Sequence, residues 1–240
     1  MRTTPRVFVE SELGAGAIAS LNQNQAHYLV SVLRLKIGDE VLLFNGIDGE
    51  WKCLIDEIAK KSCTLKCHEQ ARAQTKPMPL SLYFAPIKGQ RTDYIIEKAT
   101  ELGVTNIVPI ITERTIVRKI NNEKLRLTAI EAAEQCERLS VPLIADAISF
   151  DGFLVNTKAN ETILFADERG NCPNPIEIEL TNENDIALLI GPEGGFTAKE
   201  RDKALQNQNI IPISLGKQIL RADTACFAGL SLIQVKRGSW

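Results

Sequence analysis

The sequence predicts an α/β protein: a mainly parallel sheet covered by helices on both faces, preceded by a small β-rich domain. Three observations carry this reading. Short alternating apolar runs, separated by Asn-Gly and Asp-Gly pairs, fill the first 70 or so residues. A polar stretch with two prolines follows. Beyond it, apolar strands alternate with helical periods to the C-terminus.

In the first region RVFV (6–9), DEVLLF (39–44), EWKCLID (50–56) and SCTLKC (62–67) read as strands. Asn45-Gly46 and Asp48-Gly49 supply turns, because Asn and Asp tolerate positive φ and Gly adopts it readily. LNQNQAHYLVSVLRL (21–35) places Leu29, Val32 and Leu33 on one face and predicts a short helix. QARAQTKPMP (70–79) has no periodicity and reads as an interdomain linker. The chain therefore divides into residues 1–72, a linker at 73–79, and residues 80–240.

After the linker, LSLYFAP (80–86) is a strand. TDYIIEKATELG (92–103) is a helix, with Ile95, Ala99 and Leu102 at i, i+4, i+7 and Gly103 as its stop. NIVPII (106–111) is a strand and EKLRLTAIEAAEQCERL (123–139) a long helix. ETILFAD (161–167), DIALLI (185–190) and IIPISL (210–215) are strands, with a helix from Thr197 to about Gln206. A final apolar helix runs from about Ala222 to Val235. Being apolar almost all round, it must be buried, either within one chain or between two.

Composition narrows the function. The 240 residues are 44% hydrophobic, 24% charged and 5% aromatic, a soluble globular balance. No apolar run approaches the ~18 residues of a transmembrane helix, and the N-terminus lacks the apolar core of a secretory signal. Six scattered cysteines fit reduced thiols and a cytoplasmic location. The net charge of −2 does not favour nucleic acid, yet local patches can still make phosphate contacts.

The most informative stretch is LLIGPEGGFTAKE, Leu188 to Glu200. In a parallel sheet, ligands sit outside the carboxyl ends of the strands, and this loop lies at such an end. Gly191, Gly194 and Gly195 let backbone approach a ligand closely and take positive φ. Thr197 and Glu200 form a T-x-x-E capping box that fixes where the next helix begins. The loop lacks the Lys-Ser/Thr of a Walker motif, and its G-x-x-G-G is not the dinucleotide G-x-G-x-x-G. Glu193 would repel a phosphate. The loop suits a ligand with a neutral or cationic group near the acid, such as a nucleoside carrying a sulfonium; the alternative is a purely structural turn.

Two further segments bear on that choice. SLGKQILRADTACFAGL (214–230) repeats the logic: a strand, Leu215-Gly216, then a helix start with Asp223 or Thr224 near its first turn and Arg221 just before it. EAAEQCERLSVPLI (131–144) places Gln135 and Arg138 three apart on one helical face, as an amphipathic surface helix also would. Cys63, Cys67 and His68 are a poor zinc site, since no second matching pair exists and the two thiols alternate like inward strand residues, so no metal is expected. A Ser or Cys hydrolase lacks a G-x-S-x-G elbow and any histidine after the linker. A non-catalytic RNA-binding module is the rival from another class, and it would need no cofactor loop.

Taken together, GPEGGFTAKE, LGKQILRADTA and EAAEQCERLSVP, in this order, resemble the ribosomal small subunit methyltransferase E family. RVFV, HYLVSVLRLKIGDEVLLFNG and the KGQR and EKATELG segments resemble its earlier signatures, so the likeness spans essentially the whole chain. Two positions depart from the commoner pattern: Gln218 stands where Arg is expected, removing a charge, and Asp223 where Glu is expected, keeping one. The resemblance implies methylation of N3 of a uridine in 16S rRNA, within the 30S subunit, with S-adenosylmethionine as donor. A methyltransferase of the same fold acting on tRNA or 23S rRNA is the nearest rival.

The resemblance also implies a SPOUT domain with a deep trefoil knot, an N-terminal PUA-like RNA-binding β-barrel, and a homodimer whose active sites take residues from both subunits. Periodicity alone gives α/β and nothing sharper; the knot comes from the likeness. The knot loops would hold the adenosine against Gly191, Pro192, Glu193, Gly194, Gly195, Leu215, Gly216 and Leu220. Ile219 would supply apolar packing, and Ala166 to Glu168 would complete the pocket. Arg221 is the candidate for orienting the uracil oxygens or stabilising their charge. Asp223 either accepts a proton or caps the helix. Candidate RNA contacts are Arg6, His27, Arg34 and Lys36 in the first domain, extended by Lys88, Arg91, Arg114, Arg118, Lys119 and Arg138.

Overall fold

The computed structural model describes residues 4–169, 172–180 and 185–238. The chain forms two compact units, residues 1–77 with 133–141, and residues 78–132 with 142–240. The first boundary falls inside the expected linker. The segment Ala133–Val141, expected in the second domain, belongs with the first unit.

The first unit is a five-stranded sheet in the order β1-β3-β4-β5-β2. Its strands are β1 (Arg6–Phe8), β2 (Ile18–Leu21), β3 (Glu40–Phe44), β4 (Glu50–Ile58) and β5 (Cys63–Arg72). Inward residues of all five strands, among them Val7, Leu21, Leu43, Ile55 and Leu65, meet in one core. Ala26 and Leu29 of the helical segment join that core. Gly46 and Gly49 take φ of +81° and +82°, as the turn chemistry requires. Cys53, Cys63 and Cys67 are buried strand residues of this core. α1 (Gln23–His27) is capped by Asn22 and runs into one π-helical turn, Tyr28–Val32. That widened turn breaks the expected periodicity: Leu29 is buried, but Val32 is 57% exposed.

Arg6 was expected to face RNA, and the structure corrects this. Its Nε donates to Glu50 Oε1 at 2.6 Å, and its Nη1 donates to the carbonyls of Ala133 (2.9 Å) and Glu134 (2.8 Å). Nη2 donates to the Arg138 carbonyl at 2.9 Å, and the side chain is only 7% exposed. Ala133 and Glu134 close the helix α3 (Asn122–Gln135), so their carbonyls lack intrahelical partners. Arg6 caps that helix end. Arg72 completes the network with two bonds to Glu50 at 2.8 and 2.9 Å. Burial works against the Glu50 charge, but the hydrogen bonds from Arg72 and Arg6 outweigh it and hold the carboxyl below the ordinary range. α3 stops at Gln135 because Glu137 turns to φ +60°, so Arg138 does not share a helical face with Gln135.

The second unit is a seven-stranded sheet in which all pairs are parallel. Its main path is β12-β10-β11-β6-β7-β8, with β9 pairing β7. The strands are β6 (Leu80–Phe84), β7 (Asn106–Ile111), β8 (Leu143–Ile144), β9 (Ile148–Ser149), β10 (Glu161–Ala166), β11 (Asp185–Ile190) and β12 (Ile210–Ile213). The central strands are largely apolar and their middle residues are buried on both faces, as a parallel sheet demands. α2 (Arg91–Glu101) and α6 (Ala222–Lys236) pack together, with α6 also on β11. An aromatic cluster of Tyr83, Phe150, Phe153, Phe165 and Phe196 forms a second core, to which α4 (Phe150–Val155) contributes two rings. α5 (Ala198–Gln206) links β11 to β12. α2 ends where expected, with Gly103 at φ +85° and the Gln234 amide donating to the Leu102 carbonyl at 2.6 Å.

Candidate cofactor site

Parallel strands bring all their carboxyl ends to one edge of the sheet. β12, β10 and β11 are neighbours in that order, so the segments after Ile213, Ala166 and Ile190 emerge side by side. These are the three segments singled out by sequence: Leu215 to Leu220, Ala166 to Glu168, and Gly191 to Gly195.

The glycine loop is tightly built. The Gly195 N–H donates to the Pro192 carbonyl at 2.8 Å, closing a turn over Glu193 and Gly194. Of its three glycines only Gly195 has positive φ, +65°. A Cβ there would sit 2.6 Å from Glu168 Oε1, so the acid of one predicted segment abuts the glycine of another. At Gly191 a Cβ would stand 2.6 Å from the Phe196 ring. That ring belongs to the aromatic core, which anchors the loop's far end. Thr197 and Glu200 form the expected reciprocal capping box at the start of α5.

Two contacts hold the loop from the segment after β7. Arg114 Nη1 donates to the Gly194 carbonyl at 2.7 Å, so this candidate RNA contact is engaged with the cofactor loop. Glu200 is buried, and its Oε1 accepts the Glu113 N–H at 2.8 Å. Nearby, Asp167 is buried and accepts from Arg201 at 2.9 and 2.8 Å, fixing the end of β10 to α5. Sequence reading placed Asp167 within the segment Ala166 to Glu168 but missed its partner Arg201. It found Glu200 as a cap but not its second partner, which lies 87 residues away.

The second loop is more open. Gly216 has φ +114°, and a Cβ placed on it would meet nothing within 4 Å. Backbone there faces open space in a conformation that only glycine adopts readily. Ile219 is 84% exposed, an apolar side chain left out of the core beside that space. Arg221 is the N-cap residue of α6 and is exposed, with no capping bond from its side chain. Asp223 lies in the first turn, where Oδ1 accepts the Thr224 N–H at 2.9 Å. The carboxylate thus meets one helix N-terminal N–H from inside the first turn, while the N-cap position itself belongs to Arg221.

Of the other candidates, Arg91 Nη1 lies 3.9 Å from Glu193 Oε1 with both side chains half-exposed, a weak pair. Arg118 reaches the Glu113 carbonyl at 3.5 Å. Lys88 and Lys119 are exposed in the second unit, and His27, Arg34 and Lys36 in the first. Arg138 is half-buried beside Ser140.

The residues present fit the nucleoside expected from the sequence. Gly216 leaves bare backbone against open space, Ile219 offers an apolar surface, and Glu168 and Glu193 supply the acids that suit a cationic group. A family model described as an RNA methyltransferase domain matches residues 74–234, and one described as an RNA methyltransferase PUA domain matches residues 21–66. A Rickettsia conorii protein named ribosomal RNA small subunit methyltransferase E is 37% identical over 234 residues, 96% of this chain and 95% of the relative. Its Bacillus subtilis namesake is 28% identical over 245 residues, 95% of each. The crystal structure of the same-named protein from Neisseria gonorrhoeae, bound to S-adenosyl methionine, matches with a TM-score of 0.88 at 28% identity, covering 97% of this chain and 98% of that one. The chain therefore pairs an RNA methyltransferase domain with an N-terminal PUA domain, as expected, and it belongs to the ribosomal RNA small subunit methyltransferase E family.

Proposed function

We propose that this protein is an S-adenosylmethionine-dependent methyltransferase acting on N3 of a uridine in 16S rRNA, within the 30S subunit. The observation that carries the reading is the meeting of three predicted segments on adjacent strands β12, β10 and β11, with open backbone at Gly216. Gly191 to Gly195, Leu215, Gly216, Ile219, Leu220 and Ala166 to Glu168 would hold the donor, which supplies an electrophilic methyl group when bound. Two contacts position the glycine loop for it, Arg114 on the Gly194 carbonyl and Glu200 on the Glu113 N–H.

Uridine N3 is a poor nucleophile until its proton leaves. Arg221, exposed and without a capping bond, would orient the uracil oxygens and stabilise the charge that develops on them. Asp223 serves the helix through the Thr224 N–H, which favours its capping role over that of a base. The uridine must be unstacked for its N3 edge to be reached. The first unit and the exposed cations of the second, including Lys88, Arg91, Arg118 and Lys119, would bind the surrounding RNA.

A trefoil knot and a homodimer belong to the same reading. The support for the knot is that the chain leaves β12 at the sheet edge and α6 then packs back on β11 and α2. One face of α6 is buried, while Phe227, Ala228 and Leu232 are only half-buried and Val235 is 52% exposed, an apolar strip suited to a second copy. No helix among the described residues is long and apolar enough to cross a membrane, which is compatible with a cytoplasmic enzyme. The test is methyl transfer to purified 30S subunits, naked 16S rRNA and tRNA, with mass-spectrometric mapping of the product. Methyluridine in 16S rRNA is expected; product in tRNA alone would refute the substrate assignment.

A further inference from the structure

The helical segment of the first unit ends in a way that its own stability does not explain. α1 runs into the π-helical turn Tyr28–Val32, closed by the Leu33 N–H on the Tyr28 carbonyl at 2.9 Å. The Leu35 N–H then reaches back to the Leu29 carbonyl at 3.0 Å. Such a return calls for a left-handed residue, and Arg34 supplies it at φ +58°. Glycine or asparagine ordinarily takes such a position, because a side chain is strained there. Glu137, the other left-handed residue with a side chain among those described, is tied down by Arg72 on its carbonyl. The Arg34 side chain is exposed and has no hydrogen bond or ion pair among the described residues. Widened helical turns and left-handed side-chain residues both cost stability and cluster where a site needs them.

Tyr28 is the second observation. It opens the widened turn and is 43% exposed, with no ring packed on it and no partner for its hydroxyl among the described residues. Tyr28 and Arg34 each directly precede one partner of the Leu35–Leu29 bond, so both leave the same end of the segment. His27 and Lys36 flank them and are exposed as well. The acids nearest in sequence are engaged: Asp39 Oδ2 accepts the Lys36 N–H at 2.7 Å, and Glu40 Oε2 lies 3.8 Å from His68 Nε2. A protein partner would call for a centre depleted of charge. An open aromatic face beside cations with free donors instead suits single-stranded nucleic acid, where a base stacks and its phosphate takes the charge.

We propose that Tyr28 stacks one unpaired base of the substrate RNA, and that Arg34 keeps its strained conformation in order to hold the neighbouring phosphate. Glycine at position 34 would serve the fold better and the RNA worse. The inference rests on the RNA methylation reading and deepens it, by naming where the first unit grips the same substrate.

The test titrates the full-length protein with a short single-stranded oligouridylate, followed by fluorescence anisotropy, with an RNA duplex of the same length alongside. Tyr28→Ala binds the single strand about tenfold more weakly, within what loss of one base stack costs, while Tyr28→Phe stays within about twofold of the parent. Neither change alters duplex binding. Arg34→Gly raises the thermal midpoint by about 2 °C, because glycine relieves the strain. The same variant binds the single strand about fivefold more weakly, with a shallower salt dependence. A residue serving the fold alone would leave binding untouched. In methylation of 30S subunits both Tyr28→Ala and Arg34→Gly raise KM, with kcat and donor affinity unchanged. Single-strand binding by Tyr28→Ala equal to the parent's would overturn the proposal. So would an Arg34→Gly variant that is less stable than the parent, or more stable with unaltered RNA affinity. A raised KM for Tyr28→Ala at unchanged oligouridylate affinity would assign the surface to a protein of the subunit and overturn it too. Should Tyr28→Ala fail to fold, Arg34→Gly decides alone. Absence of 30S methylation by the unaltered protein would sink the methylation reading instead, since oligouridylate binding is measured without it.

Discussion

Replacing Glu200 by alanine should damage the protein far more than a surface carboxylate would. The buried side chain accepts from Glu113 N–H at 2.8 Å, Thr197 N–H at 2.9 Å and Thr197 Oγ1 at 3.0 Å. Alanine removes all three bonds and leaves two backbone N–H groups without this acceptor. Each such donor, if buried, costs about 1–3 kcal/mol, and loss of a helix cap costs about 1. The expected destabilisation is about 3 kcal/mol. In a chain of this size that lowers the thermal midpoint by roughly 6–12 °C. Glu200→Gln retains one acceptor oxygen but turns an amide N–H₂ toward a donor, so it should cost about half as much. Urea unfolding followed by circular dichroism would measure both, with the midpoint moving and the slope unchanged. Calorimetry with S-adenosylmethionine should show weakened binding, because Glu200 fixes Thr197, two residues beyond the glycine loop. A change below about 0.5 kcal/mol for alanine, within the range of ordinary surface substitutions, would refute the argument that this carboxylate ties two loops. A glutamine variant as unstable as the alanine one would show that charge, not the number of acceptors, matters.

Three further outcomes follow from the same geometry. Arg6→Ala should destabilise the first unit by about 3 kcal/mol in urea titrations, because it breaks a buried ion network; loss of RNA affinity at unchanged stability would restore Arg6 as an RNA contact. Gly195→Ala should weaken donor binding about tenfold, given φ +65° and the Glu168 oxygen 2.6 Å from the added Cβ, whereas Gly14→Ala, with nothing within 4 Å, should match the parent in calorimetry. Burial raises the carboxyl pKa of Glu161, whose Oε1 accepts from Tyr83 at 2.9 Å and whose Oε2 has no partner among the described residues. The folded state then holds a proton the unfolded state has released, so stability falls as pH rises from the ordinary carboxylate range through the raised value; Glu161→Gln should flatten that slope in urea titrations across pH and be the more stable above it.

The elements legible in the sequence are those whose local chemistry decides their conformation. NIVPII and DIALLI are strands to the residue, because central parallel strands need continuous apolar runs. The T-x-x-E box sets the start of α5 for a reason contained in four residues. What escaped is short or settled at long range. β2 alternates in burial, with Ala19 and Leu21 inward, but its outward Ile18 is apolar and 60% exposed, so the sequence shows almost no polar alternation. β8 and β9 are two residues each, shorter than any pattern. The end of α3 was placed too late because neither glycine nor proline marks it; Glu137 takes the left-handed turn, held there by Arg72. The place of the glycine loops at one sheet edge was legible, since alternating strands and helices put all carboxyl ends together.

Arginines were the least legible residues, and the reason is physical. A guanidinium that serves the fold and one that serves a ligand present the same five donors, so only their surroundings tell them apart. Arg6 spends four of its five donors on a carboxylate and three carbonyls within its own unit, and its side chain is only 7% exposed, which leaves it turned away from RNA. Arg221 is the opposite case. It stands exposed at the N-terminus of the 15-residue helix α6, where the helix dipole disfavours a cation by about 0.3–1 kcal/mol. It makes no capping bond, so it gives up the stabilisation a Ser, Thr, Asn or Asp there would supply, typically ~1 kcal/mol. Asp223 in the same turn offsets part of this charge. A cation kept at the wrong end of a helix is poor design for stability. It becomes sensible once negative charge develops in front of it, as on a uridine losing its N3 proton, and that requirement is the strongest physical ground for giving Arg221 its proposed role.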